Sequence, residues 1–214
     1  MGYRFLRCER KEAVAIVTLN RPEKRNALSI ALREEIVKCL EELEGDETVK
    51  TVVLTGAGPS FCAGFDLSEL SAGDMERIFS EARAYHRSVY TFPKPLIAAV
   101  NGPALAGGMD LAIMCDMRIA SEVASFGQPQ VRMGIVAAYD LIRTVLPEAV
   151  ARDLCLTGRR MEPQEALRLG FVSAVVSPDR LMEEAVGVAQ VVAENRTGLS
   201  TKRQFLEEQP PLFG

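Results

Sequence analysis

Two rhythms of apolar residues alternate along this chain. Phe5 to Arg10, Ala13 to Leu19, Thr51 to Thr55 and Leu96 to Val100 are short apolar-rich runs bounded by Gly, Pro or charged residues, which predicts strands. The first two are separated only by a charged segment and predict a hairpin that ends at Asn20-Arg21-Pro22. Leu32, Ile36, Leu40 and Leu43 recur instead at helical spacing. They predict a helix from Ser29 to Glu44, with Ser29 as its cap, Leu32 where a capping box would want Glu, and Gly45 as its stop. Leu70 to Tyr90 reads as a charged, mostly helical connection with Phe79, Ala82 and Tyr85 on one side. Further on come short strands at Met117 to Ala120 and Ala124 to Phe126, then a helix within Gly134 to Leu146. Helices at Glu148 to Leu156 and Pro163 to Leu169, a strand at Phe171 to Val176 and a helix at Pro178 to Glu194 complete the series. Strands alternating with helices predict an α/β fold of largely parallel strands. No linker divides the chain, so residues 1–195 are expected to form one core domain and 196–214 a short tail that frays.

One stretch carries more than a packing signal. In Asn101 to Asp116, NGPALAGGMDLAIMCD, a buried strand runs through a glycine pair into a helix that is apolar from Met109 to Cys115 except at Asp110. Gly107 and Gly108 let a ligand approach the backbone, and the amides of the first helical turn are donors for developing negative charge. Such a turn can hold an oxyanion.

Composition narrows the classes of function. With 214 residues, 48% hydrophobic and 25% charged, the chain has material for one sizeable core. A net charge of -4, with basic residues interspersed among acids, gives no footprint for nucleic acid. No apolar run reaches membrane-spanning length and the N-terminal MGYRFLRCERKE has no signal-peptide core, so a cytoplasmic location is expected. Five widely spaced cysteines without a CxxC pair argue against a disulfide framework or a zinc site and fit buried packing in a reducing compartment.

Familiar nucleotide and nucleophile motifs fail. GAGPSF has Phe61 where a dinucleotide fingerprint needs its third glycine, and Pro59 intrudes. There is no GxSxG elbow, and the single histidine, His86, lies in a charged helical segment, where a surface or half-buried role is expected. Cys62 has no base visible in the sequence and reads as packing.

Five stretches, in order, match one pattern: NRPEKRNALS (20–29), VVLTGAGPSFCAGFDL (52–67), KPLIAAVNGPALAGGMDLAIMCDMRIAS (94–121), FGQPQVRMGI (126–135) and LTGRRMEPQEALRLGFVSAVV (156–176). On these the chain resembles the crotonase (enoyl-CoA hydratase/isomerase) superfamily. The resemblance implies a spiral of ββα units with a helical C-terminal region, here shortened, and assembly as homotrimers or homohexamers. It also implies an acyl-CoA thioester as substrate, coenzyme A entering only as part of that substrate, and no other cofactor. By position it assigns the amides of Phe65 and Gly107 to an oxyanion hole. Arg25, Ala27, Ala63, Asp66 and Leu67 would lie along the CoA and its thioester arm, although Arg25 can equally be solvated and Asp66 can equally cap the next helix.

The acids depart from the family pattern. Hydratases carry two glutamates, and the corresponding positions here are Asp110 and Gln130. Asp is one methylene shorter, and Gln cannot exchange a proton as a carboxylate does. Asp110 is either the catalytic acid or base, or a first-turn acid complementing the helix dipole. Where hydratases have PGAGG the chain has VAAYDL, which makes Asp140 either a substitute carboxylate or the N-cap of the following helix and brings Tyr139 towards the acyl group. After Val176 the family usually continues through several helices that complete the acyl pocket and the trimer contact, and positions drawn from those helices are not assigned in this sequence. The expected activity is therefore enoyl-CoA hydration or isomerisation through a stabilised thioester enolate. Hydrolysis or decarboxylation of a thioester or β-dicarbonyl compound is the alternative within enzymes, and thioester binding without turnover is the alternative outside them.

Overall fold

The computed structural model describes residues 2–72 and 75–213, and the side chains of all of these except 70–72 and 75–80. Strand β1 (Leu6–Lys11) turns back on β2 (Val14–Leu19) as an antiparallel hairpin, the expected opening. Helix α1 (Ile30–Gly45) then returns the chain to β3 (Thr51–Gly56), parallel to β2. Helices α2 (Leu67–Ala72) and α3 (Met75–Tyr90) lead to β4 (Leu96–Val100), parallel to β3. The central stretch follows as β5 (Pro103–Leu105), α4 (Gly107–Met114) and β6 (Met117–Ser121), with β7 at Ser125–Gly127. After α5 (Tyr139–Ile142) and α6 (Glu148–Thr157) come β8 (Arg160–Met161), α7 (Pro163–Arg168) and β9 (Ala174–Val176). Helices α8 (Leu181–Glu194) and α9 (Gly198–Glu208) close the chain. The large sheet has the order β1-β2-β3-β4-β6-β9, and β5-β7-β8 form a small one.

Both faces of the large sheet are covered, which is why β3 and β4 are apolar almost throughout. Val52, Leu54, Leu96 and Ala98 face the main core with Ile36, Leu40 and Leu43 of α1 and Leu111 of α4. Val53, Ile97, Ala99 and Ile119 face the other way, onto Leu181, Ala185 and Ala189 of α8. Ser29 caps α1 as expected, its hydroxyl accepting from Leu32 N at 3.3 Å. At the far end of that helix, Lys94 Nζ donates to the carbonyls of Leu43 and Asp46 at 2.6 and 2.7 Å. Arg118 does the same for α4, giving its Nη1 to Cys115 O at 2.7 Å and its Nε to Phe171 O at 2.6 Å.

Several expectations need correction. The helix within 134–146 is only the four residues of α5, preceded by an irregular 134–138 and by a 3-10 turn over Pro129–Met133. The strand starts at Ala174, not Phe171, because Phe171 and Val172 are buried without pairing, and α8 starts at Leu181. Ala82 and Tyr85 lie on the buried side of α3, whereas the side chain of Phe79 lies outside those described. The tail holds a helix, α9, that contacts the core. Lys202 of α9, 4% exposed, pairs with Asp116 at 2.6 Å, and Gln209 and Pro210 exchange hydrogen bonds with Tyr90 at 3.1 Å each. No helix among the described residues is long and apolar enough to cross a membrane.

Candidate active site

The turn after β3 and the turn before α4 meet, and a third loop clamps the first of them. Asn26, fully buried and held at φ +54°, accepts from Arg21 N and donates to Ala57 O and Ser60 O at 2.9 and 2.8 Å. Two residues on, Leu28 N donates to Gly64 O at 2.8 Å and Leu28 O accepts from Asp66 N at 3.4 Å. In this parallel bridge the intervening Phe65 amide points away from Leu28. Gly64 sits at φ +92°, where a Cβ would lie 2.8 Å from Ala106 Cβ and 3.1 Å from Gly107 N. Gly108 is even tighter, since its Cβ would fall 2.1 Å from Cys62 O. These two glycines are what permit the backbones around Phe65 and Gly107 to touch. The ring of Phe65 is fixed in turn, with the Arg33 guanidinium 4.8 Å above it and the His86 ring edge-on at 5.8 Å. His86 also stacks on Phe213, at 5.1 Å, and burial holds its pKa down to about 4, so it is a neutral packing group.

In α4 the intrahelical bonds begin with Met109 N and Asp110 N, both donating to Ala106 O at 2.8 and 3.1 Å. The Gly107 amide precedes them in the first turn, where donors have no helical partner. Asp110 is 7% exposed, and burial raises its pKa to about 7, only partly offset by a hydrogen bond from Gln128 Nε2 to its Oδ1 at 2.9 Å. Gln130 Nε2 in turn donates to Gln128 Oε1 at 2.5 Å, and Gln130 Oε1 is buried without a hydrogen-bond partner among the described residues. Asp110 and Gln130 are thus brought together, through Gln128. Gln128 is not among the residues singled out from the sequence; it sits at the entry to the 3-10 turn that carries Gln130, and no motif marks it.

Other predicted residues fall into two groups. Arg25, Ala27, Ala63, Asp66 and Leu67 lie together along the clamped loops, Ala63 N donating to Arg25 O at 3.0 Å. Arg25 is exposed, Ala27 and Ala63 are half-buried, and Leu67 is 53% exposed. Asp66 opens α2 by accepting from Ser68 N and Oγ and pairs with Arg21 at 3.1 Å, so the capping role holds. Burial works against its charge, but the Ser68 and Arg21 hydrogen bonds outweigh it and the pKa is lowered. Asp140 and Tyr139 find their polar partners away from Asp110. The Asp140 side chain is 70% exposed and pairs with Arg143 at 3.2 Å, while Tyr139 Oη donates to Glu148 at 3.2 Å. Nor does Asp140 cap a helix, because α5 is entered through Ala138. Cys62 is fully buried with its pKa pushed up to about 12, the reverse of an activated thiol. No group of three or more His, Cys, Asp or Glu among the described residues is placed to hold a metal ion.

Comparison with known proteins converges on one group. A family model described as enoyl-CoA hydratase/isomerase matches residues 9–207. A relative from Thermus thermophilus is 44% identical over 212 residues, covering 94% of this chain and 83% of its own. The short-chain-enoyl-CoA hydratase of Clostridium acetobutylicum is 39% identical over 198 residues, 87% of this chain and 74% of that protein. Among solved structures, an enoyl-CoA hydratase from Bacillus anthracis superposes with a TM-score of 0.90 at 34% identity, covering 94% of this chain and 81% of that one.

Proposed function

This chain belongs to the enoyl-CoA hydratase/isomerase family, and we propose that it moves a proton on an enoyl-CoA with Asp110 as its one catalytic carboxylate. The observation that carries this reading is Asp110 itself, a buried acid at the mouth of α4 with a pKa of about 7. A group titrating there can both take and return a proton near neutral pH. The thioester oxygen would accept from the Phe65 and Gly107 amides, each worth ~3 kcal/mol to a developing enolate by analogy with single oxyanion donors. Asp110 would take a proton from the carbon next to the thioester, the electron pair passing to that oxygen. Gln128 holds one carboxylate oxygen with its amide, which leaves the other for the transfer.

Gln130 favours isomerisation over hydration. Hydration needs a water that is held and deprotonated while the carbon is protonated, and an amide can hold it but cannot take its proton. Shifting a 3,4 double bond to 2,3 needs only that one carboxylate remove a proton at C2 and return it at C4. Assaying 3-hexenoyl-CoA and crotonyl-CoA side by side tests this. Isomerisation faster than hydration is expected; hydration at equal or greater rate refutes the preference, and saturable binding of both without turnover refutes the enzyme. We also propose a cytoplasmic trimer or hexamer, supported by Val136 and Leu156, which are 90% and 82% exposed and lie on segments joined by the Arg132 Nε to Thr157 O bond. Sedimentation as a monomer at micromolar concentration contradicts that assembly.

A further inference from the structure

Away from the acyl-CoA site, β1 and α1 face each other through two thiols. Leu6 and Cys8, two residues apart on β1, point to the same side, where α1 presents Ile36, Cys39, Leu40 and Leu43. Cys39 is 1% exposed, whereas Cys8 is half-buried and reachable from solvent. Cys8 packs against the cluster that contains Cys39, and each thiol is the other's main electrostatic partner. A donor reaches the Cys8 sulfur from the solvent side, Arg10 Nη1 at 3.2 Å, and the same guanidinium pairs with Asp46 at 3.2 Å. The remaining groups around the pair are Tyr3, whose hydroxyl donates to Glu42 beside Cys39, and Glu42 itself, whose charge opposes a Cys8 thiolate.

We propose that Cys8 and Cys39 form a redox-active pair in which Cys8 is the peroxide-sensitive nucleophile and Cys39 the resolving thiol. The Arg10 hydrogen bond and the charge behind it stabilise the thiolate, and this is the setting in which cysteines react. The Cys39 thiol and the Arg10 charge lower the Cys8 pKa against burial, while the Cys8 partner and burial raise that of Cys39. In the first step the Cys8 thiolate attacks one oxygen of hydrogen peroxide, an S–O bond forms, the O–O bond breaks, and the released hydroxide takes up a proton to become water. The sulfenic acid so formed is then attacked by Cys39; an S–S bond forms, the S–O bond breaks, and the hydroxyl leaves with the Cys39 proton as a second water. Two electrons pass from the thiols to the peroxide, and a small thiol can reverse the change.

Cys155, the other half-buried thiol, is an internal control because burial raises its pKa. The test treats the reduced protein with hydrogen peroxide, then maps peptides under non-reducing conditions. The expected result is loss of two of the five thiols and a peptide pair joined through Cys8 and Cys39. With Cys39→Ser, oxidation should stop at a Cys8 sulfenic acid that dimedone traps; with Cys8→Ser, Cys39 should stay reduced. Iodoacetamide at neutral pH should alkylate Cys8 at least ~10-fold faster than Cys155, and Arg10→Gln should narrow that gap. Equal reactivity of Cys8 and Cys155, or oxidation without the Cys8–Cys39 crosslink, overturns the proposal.

Discussion

Replacing Asp110 by Asn should make the protein more stable and less active, and the size of the first effect follows from burial. An unfolded Asp ionises near 3.8, but in the fold burial raises the pKa to about 7. Below pH 4 both states carry the proton and nothing is lost. Between pH 4 and 7 the unfolded chain releases a proton that the native state keeps, so native stability falls as pH rises. Above 7 the full penalty is in place, ~4 kcal/mol at ~1.4 kcal/mol for each pH unit. The asparagine side chain would retain an oxygen for the Gln128 amide and has no charge to desolvate. Urea denaturation of wild type and Asp110→Asn at pH 4.5, 6 and 8 is the assay. The two curves should differ by only ~1 kcal/mol at pH 4.5 and separate progressively, the variant unfolding at higher urea by pH 8. A gap that does not widen with pH, or a variant less stable than wild type at pH 8, refutes burial as the source of the shift.

Other substitutions probe separate parts of the account. Gln130→Glu supplies a second carboxylate beside the Gln128 amide and should raise hydration of crotonyl-CoA relative to isomerisation of 3-hexenoyl-CoA, read from the two rates on one preparation. In Gly108→Ala the new methyl meets Cys62 O at 2.1 Å, backbone that cannot swing aside, so the two loops must part; a loss of at least ~2 kcal/mol by urea titration is expected, with kcat falling too. Lys202→Ala strands Asp116, which is also bound to Leu96 N at 2.8 Å, and should cost ~3 kcal/mol and expose the Gly198–Glu208 helix to proteolysis.

The sheet and its long helices were legible because their residues obey one rhythm each. Thr51 to Gly56 and Leu96 to Val100 are buried on both faces, and Leu32, Ile36, Leu40 and Leu43 share one face of their helix. Strands of two or three residues, Pro103–Leu105 and Arg160–Met161, are too short to show a period. The final helix was not visible in the sequence because its one buried residue is Lys202, a charge held by Asp116 from 86 positions away. Apolar periodicity cannot register such an anchor. At the site, the glycine turns and Asp110 stood out by composition. The environment of Asp140 did not, since solvent and Arg143 surround it in a segment with little regular structure. Gln128 was invisible for the opposite reason: its role consists wholly of contacts made between separate loops.

The central claim is that Asp110 moves a proton at the carbon beside a thioester. Incubating butyryl-CoA in deuterium oxide and following C2 proton loss by NMR tests it without needing the physiological substrate. Wild type should exchange deuterium into C2, fastest at and above pH 7 where the carboxylate is ionised, and Asp110→Asn should slow that exchange ~100-fold or more. Exchange at the wild-type rate in Asp110→Asn would contradict the assignment of the base, and no exchange by wild type with butyryl-CoA bound would contradict enolate chemistry at this site.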